Sequence, residues 1–242
     1  MPSAIVESLT TAAALGLAVG GCAYASLWPS SQIFGRAVIA ANHPHEVALT
    51  FDDGPNDAAT PQLLDVLARH GVQASFFAMG SFARHRPELV RQVVAAGHIL
   101  GNHTMSHPRL STQSATRIRQ ELADCNAELE QITGKAVKFF RPPYGARRPA
   151  VMRAARQLGL TPVLWNVFGY DWKPIGADGI LSNLNNGILR NRRRGYGSNL
   201  LLHDGDHRAM GAERMDTVRA VDRLLNAHQG TPTRFVTVDL WA

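Results

Sequence analysis

The chain has 242 residues, 45% hydrophobic and 18% charged, the composition of an ordinary globular protein with room for one α/β domain. Its net charge of +6 favours anionic surroundings such as cell-wall polymer, a membrane surface or nucleic acid. Specific nucleic-acid binding is disfavoured, because the one basic cluster, residues 190–194, has no recognition motif beside it. The two cysteines, Cys22 and Cys125, lack metal-type spacing and do not identify a redox compartment.

Residues 8–28 form an uncharged run rich in Ala, Gly and Leu, close to the ~20 residues that a membrane span requires. Glu7 precedes this run, no Lys or Arg does, and the Gly and Thr content lowers its hydrophobicity. We expect residues 1–45 to be an N-terminal arm with a membrane anchor or export signal, which predicts an extracytoplasmic or membrane-associated protein. The alternative is an apolar arm packed on a cytoplasmic domain.

From residue 46 onward, short apolar segments alternate with helical patterns. Seven strands are predicted, at 47–51, 74–78, 98–102, 137–141, 161–167, 198–202 and 234–238. The clearest helix runs from Ser114 to Thr133, where apolar residues recur in steps of four and three before Gly134. Another helix is predicted over 213–229. Strands alternating with helices predict a parallel sheet or barrel in a single domain, residues 46–242.

The first predicted strand ends in Asp52 and Asp53, followed by Gly54 and Pro55. Neighbouring residues at a strand end point in different directions, so the two carboxylates are suited to different roles. A nearby cation would relieve their repulsion. The pattern favours one aspartate on a metal and the other acting as a base, although Asp-Gly-Pro is also an ordinary turn sequence.

His103 and His107 follow the third predicted strand. Histidines at i and i+4 can present both imidazoles on one side of a turn, and carboxyl ends of parallel strands meet at one edge of a sheet. Two histidines and one carboxylate leave positions open for water and substrate, as in catalytic metal sites. These ligands suit zinc, and also cobalt, nickel or iron.

Three later strand ends carry further polar groups. Arg141 precedes two prolines and Tyr144, so Arg141 can orient a carboxylate and the Tyr144 amide can donate to an oxyanion; a rigid structural turn is the alternative. Asp171 lies among the aromatic residues of 165–172, which are either core or a platform for sugar rings. His203 follows an apolar run, where a partly desolvated imidazole can act as a general acid.

Five segments in this order resemble the motifs of the polysaccharide deacetylase family, the NodB-homology domain. They are Thr50-Phe51-Asp52-Asp53-Gly54-Pro55, His103-Thr104-Met105-Ser106-His107, Arg141-Pro142-Pro143-Tyr144, Asp171-Trp172 and Leu200-Leu201-Leu202-His203. The resemblance covers residues 46–240. It implies an α/β fold, a distorted (β/α) barrel of about seven parallel strands, and a hydrolase that uses a divalent metal to remove N-acetyl, or sometimes O-acetyl, groups from glycans.

The resemblance also implies a role for each matching residue. The metal ligands would be Asp53, His103 and His107, and the catalytic groups Asp52 (general base), His203 (general acid), Tyr144 (oxyanion donor), Arg141 and Asp171 (supports). The substrate-binding residues would be Leu200 and Leu202, as a pocket for the acetyl methyl group, together with Trp172 and Phe168. The cofactor would be a divalent metal, with Zn²⁺ preferred over Co²⁺, Ni²⁺ or Fe²⁺.

Two positions depart from the family pattern. Phe168 occupies the place of an acid that usually lies three residues before Asp171, and Met105 stands where a larger aromatic residue is frequent. Both changes affect the wall of the substrate groove. We expect a monomer that releases acetate from N-acetylglucosamine-containing glycans of the peptidoglycan or chitin type. An O-acetyl esterase and a non-catalytic carbohydrate-binding protein are the alternatives.

Overall fold

Eight parallel strands form one sheet at the centre of the computed structural model, which describes residues 20–242. The strands are β1 Glu46–Gly54, β2 Ser75–Ala78, β3 Ile99–Asn102, β4 Phe139–Phe140, β5 Thr161–Pro162, β6 Val167–Phe168, β7 Ser198–His203 and β8 Arg234–Val236. Seven of them lie in the order β5-β4-β3-β2-β1-β7-β6, and β8 pairs with the start of β1.

The sheet curls, and the N-terminal arm lies between its two ends. Val38 forms a parallel bridge with Val163, just after β5. The Ala41 carbonyl accepts a hydrogen bond from the Gly197 amide, just before β7, at 2.9 Å. The predicted distorted (β/α) barrel is confirmed. Residues 38–41, which lie before the predicted start of the domain at residue 46, are hydrogen-bonded into it.

The predicted strand 161–167 is two strands at opposite ends of the sheet. Thr161 and Pro162 pair with β4, whereas Val167 and Phe168 pair with β7. One straight strand cannot reach both partners, so the chain passes from one end of the sheet to the other after Val163, which still pairs with Val38. Each of the other six predicted strands contains or overlaps an observed one.

Helices cover the outer face of the sheet. They are Ala59–Arg69, Gly80–His85, Pro87–Ala95, Ala115–Thr133, Pro149–Gln157, Gly176–Arg193 and Met215–His228, with 3₁₀ turns at Leu110–Thr112, Pro143–Gly145 and Val238–Trp241. The helix predicted from 114 to 133 begins where Ser114 Oγ accepts from the Arg117 amide, and it ends at Gly134, whose φ is +67°. Both predicted helices are confirmed within two residues at each end.

The part of the arm that the structure describes is helical over residues 20–27 and docks beside the Tyr144 loop. The buried Arg147 guanidinium donates to the carbonyls of Trp28 and Ser31, both at 2.7 Å, and to Gly145 at 3.0 Å. Across residues 20–242, no helix combines the length and the apolar character needed to cross a membrane. Residues 8–19 of the predicted anchor lie outside the described residues.

Candidate active site

An open pocket of about 500 Å³ lies at the carboxyl ends of the strands. Eight of the predicted site residues line it: Asp52, Asp53, His103, His107, Tyr144, Phe168, Trp172 and His203. They come from the ends of β1, β6 and β7 and from the loops that follow β3, β4 and β6. In barrels of this kind, functional residues lie at these carboxyl ends. Arg141 and Asp171 lie behind this lining and contact it through hydrogen bonds.

Asp53 is surrounded by imidazoles. Its Oδ1 lies 3.3 Å from His103 Nε2 and 3.2 Å from His107 Nε2. Both Asp53 Oδ1 and His107 Nδ1 are buried, and neither atom has a hydrogen-bond partner among the described residues. Burial would raise the pKa of Asp53, but the neighbouring histidines outweigh it and hold the pKa well below its usual range.

The tautomer of His103 is set by its second nitrogen. Nδ1 lies 2.8 Å from the Arg141 carbonyl oxygen, which can only accept, so Nδ1 carries the proton. A neutral His103 therefore turns the lone pair of Nε2 toward Asp53, the orientation that metal-ligating histidines show. Burial would lower the pKa of His103, but Asp52 and Asp53 together raise it. Burial lowers the pKa of His107.

These observations test whether a metal fits. An unpaired carboxylate oxygen faces two imidazole nitrogens at distances near the ~3.4 Å that separates ligand atoms around a tetrahedral divalent ion. Carboxylate and imidazole are donors that first-row divalent metals accept. The donor types of Asp53, His103 and His107 suit a divalent metal ion. Among residues 20–242, however, the residues whose ligand atoms all lie within 4.8 Å of one another are Asp53, His107 and His207, and His103 lies outside that group.

Asp52 has a different partner from Asp53. Its Oδ1 accepts a hydrogen bond from Arg141 Nη1 at 2.8 Å, and the same nitrogen donates to Thr50 Oγ1 at 2.7 Å. Arg141 is fully buried, with its guanidinium 4.2 Å from the centroid of the Phe77 ring. Burial lowers the pKa of Arg141, although Asp52 opposes that shift. Arg141 thus fixes one oxygen of Asp52 and leaves the carboxylate at the pocket wall.

His203 is held by Asp171. His203 Nδ1 lies 2.8 Å from Asp171 Oδ1, and the His203 amide donates to Asp171 Oδ2 at 2.7 Å. Thr217 Oγ1 donates to the same Oδ2 at 2.9 Å. Burial would lower the pKa of His203, but Asp171 outweighs it and raises the pKa to about 9. His203 is therefore protonated at neutral pH.

Tyr144 and two of the three predicted metal ligands share an uncommon backbone conformation. Asp53, His107 and Tyr144 have φ values of 70°, 57° and 58°, in the left-handed region. A non-glycine residue pays about 1–3 kcal/mol for such a conformation, and these residues cluster at functional sites. The exposed Tyr144 ring borders the pocket, 4.6 Å below the Arg109 guanidinium.

An aromatic wall closes one side of the pocket. Phe168 stacks on Tyr170 at 5.2 Å between ring centroids and meets Trp165 edge-on at 5.7 Å. Trp172 continues the wall and contacts His203 edge-on at 5.4 Å. Phe168 thus places an apolar ring in the pocket where the family pattern more often has an acid.

The structure places Leu200 and Leu202, the residues predicted to form the acetyl pocket, outside the pocket lining. Both are fully buried in the apolar core between the sheet and the outer helices. Side chains alternate along a strand, so Leu201 and His203 point to the other face. Leu201 lines the pocket and packs with Trp165.

Sequence reasoning missed several residues of the loop that follows β7. Asp206, His207, Arg208 and Arg214 all line the pocket, and Asp204 is buried beneath it. Burial raises the pKa of Asp204 to about 7. The run Asp204-Gly205-Asp206-His207 directly follows a strand end that already carries His203, and this position was the available signal.

The fold is an α/β barrel, and its pocket contains the candidate catalytic and metal-binding groups of a hydrolase. Comparison with known proteins agrees with this class. Residues 40–163 match the polysaccharide deacetylase family. A chitooligosaccharide deacetylase from Sinorhizobium fredii is 40% identical over 187 residues, covering 75% of this chain and 84% of that protein. The chain belongs to the polysaccharide deacetylase family.

Two solved structures of relatives bear on the site. A peptidoglycan N-acetylglucosamine deacetylase in complex with 4-naphthalen-1-yl-N-oxidanyl-benzamide is similar with a TM-score of 0.75 and 33% identity, over 85% of this chain and 91% of that one. A family 4 pseudoenzyme from Bacillus anthracis is similar with a TM-score of 0.71 and 26% identity, over 82% of this chain and 66% of that one. The likeness to both structures agrees with the fold and with the family assignment.

Proposed function

We propose that this protein is a metal-dependent hydrolase that removes N-acetyl groups from N-acetylglucosamine-containing glycans and releases acetate. The proposal rests on the different partners of two adjacent carboxylates, Asp52 and Asp53. Asp52 is paired with Arg141 at 2.8 Å, whereas Asp53 faces His103 and His107 at 3.3 and 3.2 Å. One carboxylate is thus available for proton transfer and the other for a metal.

Asp53, His103 and His107 would hold the metal, and the mixed nitrogen and oxygen donors favour Zn²⁺. Such an ion supplies Lewis-acid polarisation of the amide carbonyl and a lower pKa for water. Asp52 takes the proton of the attacking water, with its carboxylate oriented by the hydrogen bond from Arg141. The Tyr144 amide donates to the oxyanion that develops on the former carbonyl oxygen.

His203 completes the reaction by protonating the departing amine nitrogen. The ion pair with Asp171 keeps its imidazole charged at neutral pH and presents Nε2 as the donor, since Nδ1 faces the carboxylate. Leu201 and Trp172 form an apolar surface beside this imidazole that suits the acetyl methyl group. A protein that only binds carbohydrate would need neither the paired Asp52 nor the charged His203.

Acetate release from the purified full-length chain tests the proposal. The substrates are acetylated chito-oligomers, peptidoglycan and matched O-acetylated oligosaccharides, each with metal-stripped protein and with added Zn²⁺. We expect metal-dependent release from N-acetyl substrates that His203→Gln abolishes, with the exposed His85→Gln as the control. Release from O-acetyl substrates alone would identify an esterase. Glycan binding without any release would identify a binding protein.

We also propose that residues 8–28 associate the protein with a membrane or direct its export. Supporting this, Tyr24 and Trp28 are 48% and 58% exposed and stack at 6.1 Å between ring centroids. Aromatic side chains with an apolar body and a polar tip are enriched where a protein meets a membrane interface. Fractionation of cells that make the full-length chain tests this. Recovery in the soluble cytoplasm with an intact N-terminus would contradict it.

A further inference from the structure

His207 lies beside the candidate metal ligands on the loop between β7 and helix Met215–His228. Its Nδ1 is 3.5 Å from Asp53 Oδ2, and its ring stacks on His107 with 4.1 Å between centroids. Asp53, His107 and His207 can each offer an atom within 4.8 Å of the others. The 3.5 Å separation is close to the ~3.4 Å expected between two ligand atoms of a tetrahedral divalent ion.

The second ring nitrogen of His207 also has a partner. Nε2 lies 3.1 Å from the Tyr144 hydroxyl oxygen. When Nε2 donates its proton to that oxygen, the lone pair of Nδ1 faces Asp53. His103 shows the same arrangement, because its far nitrogen donates to the Arg141 carbonyl. Metal-ligating histidines characteristically have such an outer partner.

The loop holds His207 in this position from both sides. Asp206 forms ion pairs with Arg208 at 2.7 Å and Arg214 at 3.2 Å. Arg214 Nε also donates to the Gly205 carbonyl at 2.7 Å, and Asn56 Nδ2 donates to the Ala212 carbonyl at 2.9 Å. These contacts bind the loop to itself and to the loop that follows β1. His207 is therefore placed against Asp53 rather than free to swing into solvent.

We propose that His207 is a fourth, exchangeable protein ligand to the divalent metal, an inference that rests on the metal site of the proposed function. Three protein ligands leave one tetrahedral position open, and a fourth closes it. Because the His207 side chain is 29% exposed at the pocket mouth, it can give way to an incoming oxygen ligand, whereas the buried His103 and His107 cannot. His207 would thus hold the metal tightly in the free enzyme and compete with substrate for it.

Metal binding and acetate binding test this together on the full-length chain. Zn²⁺ affinity is measured by competition with a chromophoric chelator, and Co²⁺ absorption reports the coordination. The variants are His207→Phe, which keeps a ring to stack on His107, and His207→Gln, which keeps a polar group near Tyr144. Asp53→Ala is the control for the site itself, and His85→Ala controls for loss of an exposed histidine.

We expect both His207 variants to bind Zn²⁺ at least about tenfold more weakly, since loss of a group that only orients a ligand already costs about 10- to 100-fold. Their Co²⁺ spectra should change, and acetate should bind the loaded variants more tightly because no imidazole must be displaced. If His207 only stabilised the fold, its variants would bind both the metal and acetate more weakly, and this result would also overturn the inference. Unchanged Zn²⁺ affinity and spectra in both His207 variants, with metal lost in Asp53→Ala, would overturn the inference alone. Metal retained in Asp53→Ala would overturn the proposed site.

Discussion

Asp171 contacts His203 at two points. Its Oδ1 lies 2.8 Å from the imidazole, and its Oδ2 accepts a 2.7 Å hydrogen bond from the His203 amide. The contacts fix both the tautomer and the charge of the imidazole, because the buried carboxylate raises the pKa of His203 to about 9. A general acid needs its proton at working pH, and Asp171 supplies that condition without touching the pocket.

We predict that kcat/KM falls on the alkaline side with an apparent pKa near 9, as His203 loses its proton. Asp171→Asn should move this limb toward the ordinary histidine value of about 6.5. The measurement is a pH–rate profile of both proteins, with the exposed Asp178→Asn as control. An unmoved limb in Asp171→Asn would assign it to another group.

The same ion pair affects stability. Since the folded-state pKa of His203 is raised, its contribution to the free energy of unfolding is fully present below about pH 6.5 and is lost as pH rises through about 9. Denaturant titrations at several pH values should therefore show wild type losing stability over this range. Asp171→Asn should show a smaller loss over the same range.

Leu201 faces the pocket, whereas the neighbouring Leu202 faces the core. Leu202→Ala should lower the free energy of unfolding by about 2–5 kcal/mol, as buried leucines do, and leave kcat/KM unchanged while the protein is folded. Leu201→Ala should lower kcat/KM, because Leu201 lines the pocket. Denaturant unfolding and kinetics at one temperature test the pair. Equal kinetic losses would show that the two faces of β7 are not functionally distinct.

Phe168 should set substrate preference rather than chemistry. Its ring lines the pocket between Trp165 and Tyr170, so Phe168→Asp replaces a stacking surface with a charge. We predict a change in the ranking of glycan substrates that exceeds the change in rate on the smallest active one. Ranking is measured as kcat/KM across chito-oligomers and peptidoglycan fragments. A uniform large loss would indicate a structural role.

Much of the site could be predicted because strand ends in a parallel sheet converge. The adjacent Asp52 and Asp53, the i, i+4 pair His103 and His107, and the isolated His203 each follow an apolar run, so their meeting required only the sheet. Which face of β7 meets the pocket could not be read from Leu200-Leu201-Leu202, because an all-apolar strand has no alternation. The structure decides it for Leu201.

The remaining differences depend on tertiary contacts. The run 161–167 reads as one strand, and only its two partners, β4 and β7, divide it. His207 lies in a loop whose shape depends on ion pairs of Asp206 with Arg208 and Arg214. No local sequence pattern predicts these ion pairs. Docking of the arm through Arg147 likewise joins segments more than a hundred residues apart.

Metal content beside activity in two variants tests the central claim that adjacent aspartates have separate roles. Asp53→Ala should lose metal affinity and acetate release together. Asp52→Asn should retain the metal and still lose acetate release by at least about 10²- to 10⁴-fold, the contribution of a general base. The measurement is metal stoichiometry of both purified variants together with their rates. A metal-free Asp52→Asn, or an Asp53→Ala that binds metal normally, would contradict the assignment.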